Sequence, residues 1–394
     1  MFEDIKKELT RYQLRANDGK SGVFPAFGRR FLGYDFLRHG NSILASQHKY
    51  QRKTRFREWH PCVVEKVNRE YHIVKNGILN KKDYAFLFEN GEEKHHIPVE
   101  VTEQINFYNE VVLSNSVIQT LCKERIRLGL FDRHGILMGY FIPDGYQKDA
   151  KVLLAQCSEY NEAAKRLAMA RAIELAAIHN IRANLRYYDK HGKSLSEFVS
   201  LLSEGIKETN ECKSVDDLLL IEARCRQVYY QSFNTILSNL DFQFTVRSRR
   251  PPKDPINALI SFGNTILYNR FQQIIWKTAL DSRIGVLHAA NRRHFSLNLD
   301  FADLFKPIIV DRLIFSLINK GQITAYDFEK HKDDGVYFSE RGKRLFLQAF
   351  EEKLASKLTV KEKSYTYLQL MEKEVYAYQK HLTEGEKYKP YKYY

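Results

Sequence analysis

The stretch Ile136-Leu-Met-Gly-Tyr-Phe-Ile142, followed by Lys151-Val-Leu-Leu-Ala-Gln-Cys157, marks a change of period in the chain. The first segment follows a His134-Gly135 turn signal and reads as a strand. The second opens a run to Tyr188 that is rich in Ala, Leu and Arg and poor in breakers, so it predicts one or two long helices. Working back from the switch, Tyr71-His-Ile-Val-Lys-Asn-Gly77 and Tyr84-Ala-Phe-Leu-Phe88 are short strands that run into Asn-Gly turn signals, the second at Asn90-Gly91. His96 to Val101, Phe107 to Leu113 and Arg127 to Asp132 read as further strands, with a short helix from Ser114 to Cys122 capped by Ser114. Working forward, Ser214-Val-Asp-Asp217 resembles a capping box and opens a helix to about Leu240. Arg249-Arg250-Pro251-Pro252 breaks the chain, and Asp254-Pro255 supplies an N-cap and a first-turn proline for a helix to about residue 280. The fold class expected is α+β: a small N-terminal β-rich domain followed by a larger all-helical domain. The boundaries fall at a basic N-terminal extension, residues 1–60, a β-rich domain, 61–148, and a helical domain, 149–394. The last of these ends in an aromatic, basic tail, Tyr388 to Tyr394, expected to be extended.

The 394 residues suffice for two or three domains with real cores. A net charge of +14 points to a polyanionic partner, most simply nucleic acid. Residues 1–60 hold 13 Lys+Arg against 6 Asp+Glu, so half of that excess lies there, densest from Lys49 to Arg57. This extension reads equally as a nucleic-acid arm or as a solvated leader. Cys62, Cys122, Cys157, Cys212 and Cys225 are scattered, odd in number and never in a C-x-x-C pair. That pattern speaks against a disulfide framework or a zinc site and for a reducing, cytoplasmic setting. The polar start Met-Phe-Glu-Asp-Ile-Lys-Lys does not read as a signal peptide, and no apolar run approaches about 18 residues.

Chemistry concentrates in one segment of the last third. His288 is followed by Asp300 and Asp303, with Arg292 and Arg293 between them. An imidazole with carboxylates suits a hard divalent cation, and neighbouring guanidinium groups suit phosphate. Helix-start capping by the Asp-x-x-Asp pair and a hydrogen-bonded core histidine fit the same spacing. A further carboxylate comes from the helix after Ser214. Leu218, Glu222, Cys225 and Tyr229 share one face, which places Glu222 on an otherwise apolar stripe. A carboxylate there is paired with a cation, protonated or bound to metal.

Several motifs in fixed order then resemble one family. Pro251-Pro-Lys-Asp-Pro-Ile-Asn257 through Ser-Phe-Gly263, Gly285-Val-Leu-His288 and Ser296-Leu-Asn-Leu-Asp-Phe-Ala-Asp303-Leu-Phe-Lys-Pro307 are similar to the CRISPR-associated spacer-acquisition integrases, the first-numbered family of Cas proteins. Ile221-Glu222 through Tyr229 resembles that family's Glu-helix motif, and Asn180 and Leu185 also match. Ile97-Pro98-Val-Glu, Leu113-Ser114 and Phe131-Asp132-x-x-Gly135 resemble its N-terminal β domain. Asn264 stands where an aromatic residue is usual, Ala177 and Ile178 lie where a lysine is often found, and Asp303 replaces a common Glu.

The resemblance implies that Glu222, His288 and Asp303 hold a divalent metal, with Asp300 as a supporting catalytic acid. It also implies a β-rich dimerisation-type domain, a helical catalytic domain, a homodimer, and a small ferredoxin-like CRISPR adaptation protein as partner in a prokaryotic cytoplasm. The implied reaction joins the 3′-OH ends of a captured double-stranded DNA fragment to the CRISPR repeat by transesterification. Two carboxylates and an imidazole favour Mg²⁺ or Mn²⁺ over zinc. Arg249, Arg250, Arg292 and Arg293 are candidates to bind DNA phosphates. A metal-dependent nuclease using water, or a DNA-binding scaffold, are the alternatives.

Overall fold

The structure is a computed structural model. Apart from strand backbone at 30–31, 34–39, 42–47 and 63–64, it describes residues 70–393, excluding 145–148, 289–294, 332–333 and 361. The chain divides into two compact units, Met1–Trp59 and His60–Tyr394. In the first, β1 (Arg30–Phe31), β2 (Tyr34–His39) and β3 (Ser42–Gln47) form an antiparallel sheet. The basic run from Lys49 to Arg57 lies outside the described residues.

The second unit begins with strands. β4 (Val63–Val64), β5 (Glu70–Ile73), β9 (Gln104–Phe107), β11 (Arg127–Phe131) and β12 (Leu137–Phe141) make a five-stranded sheet ordered β12-β11-β9-β5-β4. β6 (Gly77–Lys82), β7 (Ala85–Glu89), β8 (Lys94–Pro98) and β10 (Val111–Leu113) make a four-stranded sheet ordered β10-β6-β7-β8. Leu79, Phe86, Phe88 and Ile97 of the smaller sheet meet Ile73, Ile105 and Leu128 of the larger in one apolar core, with α1 (Asn115–Lys123) adding Val117 and Leu121. The expected strand from Phe107 to Leu113 is therefore two strands in two sheets. The chain crosses over at Tyr108 to Glu110, beside the parallel crossover of residues 74–76. The two are tied by Asn109 Nδ2 to the Val74 carbonyl at 2.5 Å and by the Glu110 amide to Asn76 Oδ1 at 3.2 Å. Asn76-Gly77 is consequently no hairpin turn. The β6–β7 turn is Asp83-Tyr84, with Asp83 in the left-handed region at φ 53°, a conformation aspartate tolerates. Asn90-Gly91 does form the β7–β8 turn, where Asn90 Oδ1 accepts the Glu92 and Glu93 amides.

Helices follow: α2 (Ala150–Asn161), α3 (Ala163–Lys190), α4 (Ser196–Glu211), α5 (Val215–Gln231), α6 (Phe233–Ile236), α7 (Pro255–Trp276), α8 (Leu297–Phe305), α9 (Arg312–Asn319), α10 (Glu340–Ala355) and α11 (Tyr367–Glu384). Two short hairpins, at residues 328–338 and 357–366, are inserted among them. Ser214 caps α5 by accepting the Asp217 amide, and Asp254 caps α7 by accepting the Asn257 amide with Pro255 in the first turn. α5 stops earlier than expected, at Gln231, with the Ser232 hydroxyl turned back onto the Tyr229 carbonyl. α7 is buried on nearly every face, from Ile256 to Ile275, and is the axis of the helical part. Cys122, Cys157, Cys212 and Cys225 are free thiols. Among the described residues no helix is long and apolar enough to cross a membrane.

The strands dock on α7 and α10 through charge as well as through apolar contact. Arg270 of α7 is ion-paired with both Glu70 of β5 and Glu351 of α10, and all three are buried. Glu70 Oε1 also accepts from Asn106 Nδ2 at 2.5 Å and Gln273 Nε2 at 2.8 Å. Gly129 leaves the room this network needs: a Cβ there would lie 2.2 Å from Asn106 Oδ1. Removing one member strands two buried carboxylates, so Arg270→Ala should lower unfolding stability by about 3–5 kcal/mol in urea titrations. Truncating the exposed Lys380 of the Lys380–Glu384 pair should change it by less than about 1 kcal/mol.

Candidate metal centre

Three helices and one loop supply the side chains that meet around Asp303. α8 packs against α3 and α7, and α5 packs against α3. The loop from Lys277 to Ser296 is pinned by Gln156 of α2, which accepts the Asp281 amide and donates to the carbonyls of Asp281 and Ile284. The Ser282 carbonyl then takes the first amides of α8, from Ser296 at 2.9 Å and Leu297 at 3.0 Å.

Asp300 organises the end of this loop. Its carboxylate accepts the amides of Val286, Leu287 and His288 at 2.7, 3.2 and 2.9 Å, a concave set of N–H groups that suits an anion. His288 Nδ1 adds a fourth contact at 2.8 Å. Gly285 must be glycine for the loop to approach so closely, since a Cβ would lie 2.8 Å from Asp300 Oδ2. The helix-start capping that also fits the spacing of Asp300 and Asp303 is not what the structure shows. Asp300 does sit in the first turn of α8, but its carboxylate serves the loop and not the helix's own amides. Asp303 lies a turn further along, facing other helices.

Asp303 is fully buried. Its Oδ1 accepts from Arg226 Nη2 at 2.7 Å and is ion-paired with Lys306, one turn along the chain. Burial alone would favour the protonated acid, but Lys306, Arg226 and His288 overcome it and hold the carboxyl well below the usual range. Oδ2 has no hydrogen-bond partner among the described residues and faces His288 Nε2 at 3.8 Å. Glu222 reaches the same place from α5, with Oε1 taking Arg226 Nε at 3.2 Å. The apolar stripe inferred for that helix is present, as Leu218, Cys225 and Tyr229 are buried. The salt bridge to an arginine and the approach to Asp303 are both present at Glu222.

Glu222, His288 and Asp303 each offer a ligand atom, and these atoms lie within 4.8 Å of one another. Three observations make this set fit a divalent cation. An oxygen of a buried, ionised aspartate is left unpartnered. The imidazole is fixed through Nδ1 by a carboxylate, which leaves Nε2 free for a metal, the usual outer-shell arrangement of a metal-bound histidine. The three formal anions Glu222, Asp300 and Asp303 exceed the two cations Arg226 and Lys306. A second set, Glu70, His72 and Glu351, is as close together, but there Arg270 is ion-paired with both carboxylates and occupies the space between them.

Arg226, Lys306 and Glu174 belong to the site although the sequence reading passed over them. The first two were legible as i+4 from Glu222 and i+3 from Asp303. Glu174, on α3, carried no such signal. Burial, then the charges of Glu222 and Asp303, raise its pKa well above the normal range, which makes it a neutral acid beneath the site. For His288, burial opposes protonation but is outweighed by the Asp300 hydrogen bond and by the charges of Asp303, Asp300 and Glu222, so its pKa is raised. Arg249 and Arg250 are exposed on the loop before α7. Their neighbour Arg247 turns inward to Asn257 Oδ1 at 2.8 Å and Ser261 Oγ at 2.9 Å. Arg292 and Arg293 lie outside the described residues.

Comparison with known proteins places this geometry. The family described as "CRISPR associated protein Cas1" matches residues 71–352. A "CRISPR-associated endonuclease Cas1 2" from Thermodesulfovibrio yellowstonii is 41% identical over 327 residues, covering 82% of this chain and 99% of the relative. A solved Cas1 protein from Thermotoga maritima is 33% identical, covers 80% of this chain and 97% of that one, and superposes with a TM-score of 0.71. A casposase solved bound to its integration product, 21% identical, shares the fold at a TM-score of 0.71 over 81% of this chain and 93% of that one. With the match extending over both the strands and the helices that build the site, the chain belongs to the Cas1 family.

Proposed function

We propose that this chain is a divalent-metal-dependent DNA endonuclease and integrase of CRISPR adaptation, with Glu222, His288 and Asp303 holding Mg²⁺ or Mn²⁺. The observation that carries the reading is the unpartnered Oδ2 of Asp303 opposite Nε2 of His288, with Glu222 in the same cluster. A bound cation would polarise the scissile phosphate and ease loss of the proton from the attacking hydroxyl. In the joining reaction a 3′-hydroxyl of the captured fragment forms a new P–O bond to the repeat. The repeat's own 3′-oxygen leaves and takes up a proton, so the number of phosphodiester bonds is conserved.

The chain's residues divide the remaining work. Asp300 orients His288 and keeps its Nε2 pointed at the cluster. Arg226 and Lys306 anchor Asp303 through one oxygen and leave the other for the cation. Glu174, being neutral, adds no repulsion. Exposed Arg249 and Arg250 are suited to phosphates flanking the site, as are Arg292 and Arg293 by sequence. The β-rich residues 61–148 would form the homodimer contact, and a small ferredoxin-like adaptation protein would bridge dimers. The net charge of +14 supports a DNA partner.

A strand-transfer assay with a 3′-OH duplex, repeat-bearing plasmid and Mn²⁺ tests the proposal. Joined products are expected; cleavage without joining would assign hydrolysis, and neither product would assign a scaffold. His288→Ala should abolish both products while duplex binding in gel-shift titrations persists. Asp300→Asn should weaken Mn²⁺ binding by about 10–100-fold and be rescued in part by excess Mn²⁺. The proton and the cation compete for Nε2 of His288. Because that pKa is raised, apparent Mn²⁺ affinity should fall as pH drops through a value above that of a free histidine, by up to about tenfold per pH unit. Mn²⁺ titrations across pH 5.5 to 8.5 measure this, and a flat profile would remove His288 from the ligand set.

A further inference from the structure

The residues after α11 do not trail into solvent. α11 closes at Gly385 in the left-handed conformation, φ 72°, and the chain then turns back across the bundle. The Tyr388 hydroxyl meets the buried Glu374 carboxylate, whose Oε1 also accepts the Tyr391 amide at 3.1 Å. The Tyr391 ring stacks on Phe305, the last residue of α8, with centroids 5.5 Å apart and planes 12° from parallel. Arg312 donates to the Tyr393 hydroxyl at 2.5 Å and lies over the rings of Tyr393 and Tyr187.

Asn180 of α3, fully buried, joins this segment to α8. Its Nδ2 donates to the Leu304 carbonyl at 2.8 Å and to the Tyr391 carbonyl at 3.0 Å, and its Oδ1 accepts the Tyr393 amide at 2.7 Å. Both amide hydrogens and the oxygen are therefore engaged. Asn184, one turn on, donates to the Pro307 carbonyl at 3.1 Å. These carbonyls flank the point where Pro307 brings no N–H and the helix widens into a π turn, Pro307–Asp311. Leu304 is the residue after Asp303. Without the tail, Asn180 would lose its bonds to the Tyr391 carbonyl and the Tyr393 amide, so its side chain would be held less firmly against the Leu304 carbonyl.

We propose that residues 386–393 are a strap that fixes the last turn of α8 through Asn180, and so set the position of Asp303 in the metal centre. Asn180 and Tyr391 are then positioning residues. The inference rests on the reading of Asp303 as a metal ligand only for its consequence, not for the strap itself.

The test compares the full chain with one ending at Gly385, which keeps the cap of α11. Hydrogen exchange over residues 297–311 should quicken about tenfold in the shortened chain, while exchange in β5, β9 and β11 stays as it was. Mn²⁺ binding, read from the electron-spin signal of free Mn²⁺, should weaken about tenfold or more. A synthetic nonapeptide of residues 386–394 should restore both. Unchanged exchange over 297–311, or exchange that rises equally in the β strands, would overturn the strap. Faster local exchange with unaltered Mn²⁺ affinity would overturn its link to Asp303. A full-length chain that binds no Mn²⁺ would instead sink the metal reading, with the exchange data still deciding the strap.

Discussion

The ionised carboxylate of Asp303 is enclosed in a helical core, and the arrangement around it follows from how that charge is held. An isolated carboxylate at full burial would neutralise itself by taking up a proton. Two cations prevent this, Arg226 from α5 and Lys306 from the end of α8. Both act on Oδ1, leaving Oδ2 without a partner among the described residues. The asymmetry separates an anchored oxygen from an open one within the same side chain. The neighbours are arranged around it: Glu222 shares Arg226, Asp300 holds His288 through Nδ1, and burial with the charges of Glu222 and Asp303 raises the pKa of Glu174.

The molecule contains a second buried charge cluster, and the contrast is instructive. Glu70, His72 and Glu351 are packed as closely as Glu222, His288 and Asp303, yet Arg270 lies on both carboxylates. That network joins strand β5 to helices α7 and α10, with one guanidinium shared between the two carboxylates. Proximity of acids and histidine therefore does not define a metal centre. What distinguishes the Asp303 cluster is Asp303 Oδ2, which neither Arg226 nor Lys306 touches, whereas Arg270 is ion-paired with both carboxylates of the second set.

Much of this was legible in the sequence, for identifiable reasons. The change from strand to helix period near residue 150, the N-caps Ser214 and Asp254, and the apolar face that presents Glu222 depend on local spacing, which the fold preserves. What was hidden depends on tertiary approach. Residues 107–113 read as one strand because nothing local announces the double crossover held by Asn109 and Asn76. The spacing of Asp300 and Asp303 suits caps as well as ligands, because it cannot reveal that the preceding loop folds back to give its amides to Asp300. Glu174 and Asn180 sit on a long helix whose pattern only says that one face is buried. Arg226 and Lys306 stood at helical spacing from the acids they serve.

The proposed binding of one divalent cation by Glu222, His288 and Asp303 is tested most directly by crystals grown with Mn²⁺ and an anomalous difference map at the manganese edge. The account predicts one peak within coordinating distance of His288 Nε2 and Asp303 Oδ2, with Asp300 still bound to the 286–288 amides. A peak among Glu70, His72 and Glu351, or no peak at Asp303 at saturating Mn²⁺, would contradict it.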